Sequence, residues 1–435
     1  MTSDAIIAVI VFTVVYGLIA FECLNKAIAA LLGVMILLIL GVIDDRAAAR
    51  YIDFETIMLL IGMMGIVAVL KRSGFFDILT VHLAGLTKGR PLGILILFGG
   101  ATALLSAFLD NVTTVLVMVP IVIELTRGMG LNPRIYVIAV AMASNLGGTA
   151  TLIGDPPNII IGSEVGLTFN QFLIYLSLPV VLCTAAVMAW FRLSNRDHFR
   201  SIEDNLTRLF TVDLLLGKTV HDFKAVPIDR RFLIKSLVCL IVVLLLFVTQ
   251  SITRLSPGVA ALTGALVLFV INRMEIETIL LEIEWSTLLF FAGLFVLVGT
   301  LEEKGVIEWL ARTVFLSAGS NPYVMVLLVL WVSGLASGVI DNIPFTITMI
   351  PIVKMMLADQ PVPHDLLWWA LSLGACMGGN LTLIGASANI VAAGIMKKYG
   401  EDISFWEYTR RSAPGALLSL VICSFVLVGY LWVLG

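Results

Sequence analysis

The chain has 435 residues, of which 60% are hydrophobic and only 13% charged, with a formal net charge of −3 and a mean hydropathy of +1.05. Soluble domains carry about 25% charged residues, so the composition excludes a soluble globular protein and implies a polytopic membrane protein. There is no basic run of the kind that binds nucleic acid.

A bilayer-spanning helix needs about 20 apolar residues. The first half offers such runs at 5–22, 27–43 and 55–70, then a less hydrophobic, amphipathic stretch at 74–90. The first run is flanked by Asp4 rather than Lys or Arg and lacks a small-residue cleavage signal, so it reads as a membrane helix rather than a signal peptide. Next comes 92–126, split by Asp110-Asn111, then 134–166 with Gly154-Asp155-Pro156-Pro157-Asn158 inside it, and 170–191. Residues 192–233 are polar and charged and read as a linker. The second half repeats the order: 234–252, 258–272, 285–301, 323–357 split at Asp341, 365–398 broken at 385–389, and 410–434.

The repetition is also literal. GGTATLIGDPPN (147–158) and GGNLTLIGASAN (378–389) share seven of twelve positions at an offset of 231 residues. The same offset lays Asp110-Asn111 with Pro120 onto Asp341-Asn342 with Pro351, and Phe54, Gly62 and Gly74 onto Trp285, Gly293 and Gly305. It also lays Ala29-Ala30-Leu31 and Gly33 onto Ala260-Ala261-Leu262 and Gly264. The chain is duplicated.

Each arm of the split segments is about 15 residues, short for a membrane of roughly 30 Å. A re-entrant hairpin with its tip at mid-membrane is therefore favoured over two short spans. Each half then makes five crossings, so the halves are inverted. The expectation is an all-α polytopic membrane protein with an inverted structural repeat, about ten transmembrane helices, two re-entrant hairpins and two broken helices. Its first repeat is 1–191, with scaffold helices in 5–72, a hairpin at 91–127 and a broken helix at 134–166. The linker 192–233 is cytoplasmic. The second repeat is 234–435, with scaffold helices in 234–301, a hairpin at 323–357 and a broken helix at 365–398. On this topology all but six of the 27 Lys and Arg (Arg46, Arg50, Arg254, Lys304, Arg312 and Lys354) lie inside, as the positive-inside rule requires. Both termini would face outward from a cell (inner) membrane.

Three acids fall at membrane depth: Asp110, Asp341 and Asp155. An Asp at the bilayer centre costs roughly 2.5–3.5 kcal/mol on insertion scales, so each needs a partner, a wet cavity or a proton. Asp110 and Asp341 are repeat-mates, and each either caps the second hairpin arm or handles an ion. Asp155 has Ala386 as its mate, so its task is done once. A carboxyl removed from water favours its protonated form and can exchange a proton near neutral pH, which makes Asp155 the first candidate for proton coupling. The alternative is a loop Asp ahead of a helix-breaking Pro-Pro pair. Irregular backbone at membrane depth is tolerated only against protein or a cavity. Candidate solute contacts are therefore Asn111, Thr113, Thr114, Thr149, Thr151, Asn158, Asn342, Thr346, Asn380, Thr382, Ser387 and Asn389. The five cysteines are scattered singly and the four histidines lie near loops or helix ends with no HExxH spacing, so neither a metal nor another cofactor is expected. No nucleophile–base constellation suggests an enzyme.

At FLDNVTT (108–114), NLGGTATLIGDPPN (145–158), DNIPFT (341–346) and GGNLTLIGASANIV (378–391) the chain resembles the ArsB/NhaD group of the ion-transporter superfamily. That group includes arsenite permeases, sodium/proton antiporters and the melanosomal P protein. The resemblance implies an inverted-repeat transporter, with a scaffold and a substrate-carrying part, and suggests a homodimer. It implies arsenite or antimonite efflux driven by proton influx, where one proton falling through about 100 mV supplies roughly 2.3 kcal/mol, a gradient of about 50-fold. The alternatives are sodium/proton antiport or a P-protein-like anion permease or channel. With no Walker A sequence, any ATPase would be a separate subunit. Asp341-Asn342 stands where some arsenite permeases have Asn-Asn, which favours a cation- or proton-binding carboxylate.

Overall fold

A computed structural model describes residues 2–20, 24–87, 90–196, 199, 229–309, 321–359 and 362–434. Residues 200–228, most of the expected linker, lie outside the described residues, as do residues 310–320.

The first half contains α1 (Ser3–Ala20), α2 (Lys26–Ile39), α3 (Phe54–Arg72), α4 (Phe75–Thr87), α5 (Pro91–Ser106), α6 (Asn111–Gly128), α7 (Pro133–Gly148), α8 (Pro156–Val165) and α9 (Phe169–Ser194). The second contains α10 (Arg230–Val248), α11 (Pro257–Ile271), α12 (Trp285–Glu303), α13 (Pro322–Ser337), α14 (Asn342–Asp359), α15 (Leu366–Gly378), α16 (Ser387–Lys398) and α17 (Phe405–Leu434). Among the described residues there are no strands, and α3, α6, α9, α10, α12 and α17 are each long and apolar enough to cross a membrane. The molecule is an all-helical polytopic membrane protein.

Local chemistry sets the boundaries. Asn25, Asp53, Asn132, Asp229, Ser256 and Asn321 each accept a backbone N–H at the start of α2, α3, α7, α10, α11 and α13, and Thr168 with Gln171 forms a capping box at α9. The second hairpin arms, α6 and α14, run 18 residues each, about 27 Å. They exceed the expected 15, and each keeps its proline, Pro120 or Pro351, inside the helix. The one-turn helices Gln250–Thr253 and Ile276–Leu280 and the short helix Asp45–Tyr51 were not anticipated from hydropathy, since each is too brief to show a period.

The halves interlock. α3 packs on α11, and α12 packs on α2, so each repeat's third helix lies on the other repeat's second. Gly62 makes the first contact possible: a Cβ there would sit 2.4 Å from the Ala261 carbonyl carbon. Its repeat-mate Gly293 faces Ala30, where a Cβ would come within 2.9 Å of Ala30 Cβ. Small residues let helix backbones approach when lipid offers no hydrophobic drive. In each half the first hairpin arm lies along the first part of the broken helix, α5 on α7 and α13 on α15. Gly147 meets the Ala103 backbone, and Gly378 meets that of Gly334 at the equivalent place.

Polar contacts between the halves respect sides. Arg72 meets Glu282 at 3.2 Å and Arg127 meets Glu401 at 3.0 Å, on the side expected inside. Lys354 meets Glu164 at 2.5 Å and Tyr51 hydrogen-bonds Glu303, on the side expected outside.

Candidate functional site

α7 ends at Gly148 and α8 starts at Pro156, and the seven residues between them are wholly inside the protein. Glycine closes this turn on itself, because a Cβ on Gly154 would lie 2.5 Å from the carbonyl oxygens of Gly148 and Ser106. The side chains then knit the break to its hairpin. Thr151 donates to the Ala107 carbonyl, and Asn158 donates to the carbonyls of Thr149 (2.9 Å) and Thr151 (2.8 Å). The second half does the same: Thr382 donates to Gly338 (2.5 Å), and Asn389 to Gly379 (2.8 Å) and Thr382 (3.1 Å). The repeated polar residues thus serve first to satisfy broken backbone.

Asp155 stands apart from this scaffolding. It occupies the N-cap position of α8 but makes no capping bond. It is 0% exposed, and its Oδ1 accepts from the Asn111 amide at 3.3 Å and the Asn342 amide at 3.4 Å. Both hairpin tips therefore converge on one carboxylate oxygen. The other, Oδ2, is buried and among the described residues has no N–H or O–H partner, with the Cys376 thiol lying against the carboxylate. Asn111 also donates to Asn145 (3.1 Å), which donates in turn to Asn380 and Asn389, each at 2.9 Å. One amide chain thus joins both halves.

Asp110 and Asp341 have diverged. Asp110 caps α6, accepting from the Thr113 N–H at 2.8 Å, and it faces a cavity of about 540 Å³. Asp341 accepts from the Ile343 N–H at 3.1 Å and is paired with the Lys26 ammonium. Lys26 and Asp341 also both contact the Ser387 hydroxyl at 3.2 Å. Lys26 belongs to α2, so this pair ties the scaffold to the second hairpin and broken helix. The repeat-mate of Lys26 is Pro257, and among the described residues no cation is paired with Asp110.

The cavity lies between α2 and α12 on one side and the hairpin tips on the other. Its polar wall is Asp110, Asn111, Asp155, Asn342 and Ser387, with Asn25, Lys26, Glu284, Ser286 and Thr287 toward its mouth. Of the residues expected from the sequence, Asp155, Asp110, Asn111, Asn342 and Ser387 come together here. Asp341 lies just behind, beside Lys26. Thr114, Thr149, Thr151, Asn158, Thr346, Asn380, Thr382 and Asn389 instead support the tips and breaks, and Thr113 is off the cavity wall. The sequence reading missed Lys26, Glu284, Asn145 and Ser372, which donates to Asn158 Oδ1 at 2.6 Å. Asn145 was detectable as a lone amide two residues before the glycine pair. Lys26 and Glu284 sit at helix starts, where a charge is unremarkable until the tertiary structure is known. Among the described residues no group of three His, Cys, Asp or Glu could hold a metal ion.

Residues 16–374 match the family model of the citrate transporter family, CitMHS. The "46 kDa membrane protein" of Mycobacterium leprae is 40% identical over 434 residues, covering 98% of each chain. An uncharacterized transporter of Mycobacterium tuberculosis is 40% identical over 437 residues, again covering 98% of each. The P protein of Mus musculus is 35% identical over 490 residues, which cover 95% of this chain and 59% of that protein. Among solved structures, the YdaH transporter of Alcanivorax borkumensis aligns over 99% of each chain at 13% identity with a TM-score of 0.48, a likeness on which nothing is built. With its all-helical membrane architecture and buried polar cavity, the chain belongs to the citrate transporter family of multi-pass membrane transporters.

Proposed function

We propose that the chain is a secondary antiporter that exchanges protons for a small cation at Asp155, with sodium as the first candidate. The observation that carries this reading is the Asp155 oxygen that has no N–H or O–H partner among the described residues, fully buried beside a cavity into which Asp110 and Glu284 also face. Lys26, the cation on that wall, is already paired with Asp341. Buried carboxylates with no counter-charge must hold a proton or a cation, and a group that can hold either couples their fluxes.

Arsenite or antimonite efflux with proton influx is the second reading. It is favoured by the amides of Asn111 and Asn342 and the hydroxyl of Ser387, which could hydrogen-bond a neutral trihydroxide. Thiolate capture would need several cysteines together, and Cys376, which lies against Asp155 and Asn158 but off the cavity wall, has no second thiol beside it among the described residues. A free tricarboxylate such as citrate, or an anion passing through a channel, would face three carboxylates and one occupied lysine. These fit the cavity least well.

The test is proton movement in proteoliposomes holding a trapped pH-sensitive dye. Sodium chloride, arsenite and citrate would be added outside in turn. A proton response to sodium that Asp155→Asn abolishes is the expected result. A response to arsenite alone would replace sodium with the second reading, and a response to citrate alone would overturn both. Proton exchange persisting in Asp155→Asn would move the coupling role to Asp110 or Asp341.

A further inference from the structure

A second cavity, of about 640 Å³, runs between α5, α7 and α9 on the lipid-facing side of the first half. Its wall is almost wholly apolar, and Leu104 and Val181 on its rim are 66% and 64% exposed. Along α9 it extends from Leu173 to Arg192, about 28 Å of helix, close to the hydrocarbon thickness of roughly 30 Å. Arg192 closes one end and has no ion pair among the described residues.

The inverted repeat supplies an internal control. At the equivalent place in the second half the protein fills the space itself. Gly100, where an added Cβ would meet nothing within 4 Å, has Trp331 as its mate, and the Trp331 indole donates to Ser424 at 3.0 Å. Ala150 has Leu381 as its mate, which packs against Gly338, and Ala103 has Gly334, against which Leu420 of α17 packs. In the last helices Pro179 answers Pro414, which puts the buried Leu427 opposite Arg192. One half has bulk and no charge, and the other has a furrow with a cation at its end. An apolar void of this size forfeits packing on every wall unless something apolar lies in it.

We propose that this furrow is a binding site for an anionic phospholipid. An acyl chain lies over Gly100 and Ala150, and the headgroup phosphate meets Arg192. The charge selects the headgroup, because one basic residue near an anionic lipid surface is worth about a fivefold preference. The chain would touch Gly147 and Thr151, part of the break that presents Asp155.

The test is native mass spectrometry of the delipidated full-length protein, titrated with phosphatidylglycerol and with phosphatidylcholine of the same chains. One phosphatidylglycerol should be retained, about fivefold over phosphatidylcholine. Gly100→Trp should abolish retention of both. Arg192→Gln, at an exposed position, should keep acyl binding and lose the headgroup preference. Equal retention of the two lipids by the unaltered protein would overturn the proposal, and so would retention by a folded Gly100→Trp protein. If Gly100→Trp does not fold, an unchanged headgroup preference in Arg192→Gln still overturns it. A dimer that Gly100→Trp splits would give the furrow to a second copy of the chain and overturn the proposal too.

Discussion

At the scale of single residues, the two ends of one interaction carry opposite expectations. Lys26 is 29% exposed, while the Asp341 side chain it pairs with is only 4% exposed. Lys26→Met leaves that carboxylate buried and alone, and should lower stability by about 2–3 kcal/mol. Adding Asp341→Asn should recover most of the loss, since the amide keeps the Ile343 N–H contact without the charge. Thermal unfolding in detergent of both single variants and the double variant measures the coupling, and additive losses would show that the pair is not the cause. Asp155→Asn keeps the shape and can still accept from Asn111 and Asn342. It should leave the melting temperature within a few degrees while reducing proton-coupled exchange to the level of protein-free liposomes, so a large fall in melting temperature would make Asp155 structural.

At the scale of elements, the interlocked helix pairs turn on two glycines. Gly62→Ala drives a methyl into the Ala261 backbone, which cannot move aside, and should cost about 1–3 kcal/mol. Gly293→Ala meets the Ala30 side chain at a longer distance and should cost less, whereas Gly100→Ala, which meets nothing, should lie within about 0.5 kcal/mol of the parent. Ranking the three by thermal melting checks the packing, and a Gly100→Ala variant as damaged as Gly62→Ala would contradict it. These elements were largely legible in the sequence, because a 231-residue offset carries Gly62 onto Gly293 and Asp110-Asn111 onto Asp341-Asn342. The lining of the cavity was legible only in part. Repetition marks residues that both halves need, and most of those satisfy broken backbone, as Thr151 and Asn158 do. What is particular to the site breaks the repetition: Asp155 opposite Ala386 could be read that way, but Lys26 opposite Pro257 could not, because nothing local says that a lysine opening α2 will reach a hairpin tip 315 residues away.

At the scale of the whole molecule, the mouth of the cavity near Asn25, Glu284 and Ser286 lies on the side that the Lys and Arg distribution makes cytoplasmic. A cysteine at Ser286, introduced after Cys23 and the half-buried Cys239 are replaced, should react with a membrane-impermeant maleimide in inside-out vesicles and not in right-side-out cells. The reverse pattern would invert the topology. Because α3 rests on α11 and α12 on α2, a ribosome that has finished residues 1–191 has made half of each interface and completed neither. The nascent first half must wait in the membrane, with Gly62 facing lipid, until α11 arrives about seventy residues later. Neither half should therefore survive cellular proteolysis when expressed alone. The two made as separate polypeptides, cut within residues 200–228, should find each other and restore the intact protein's yield.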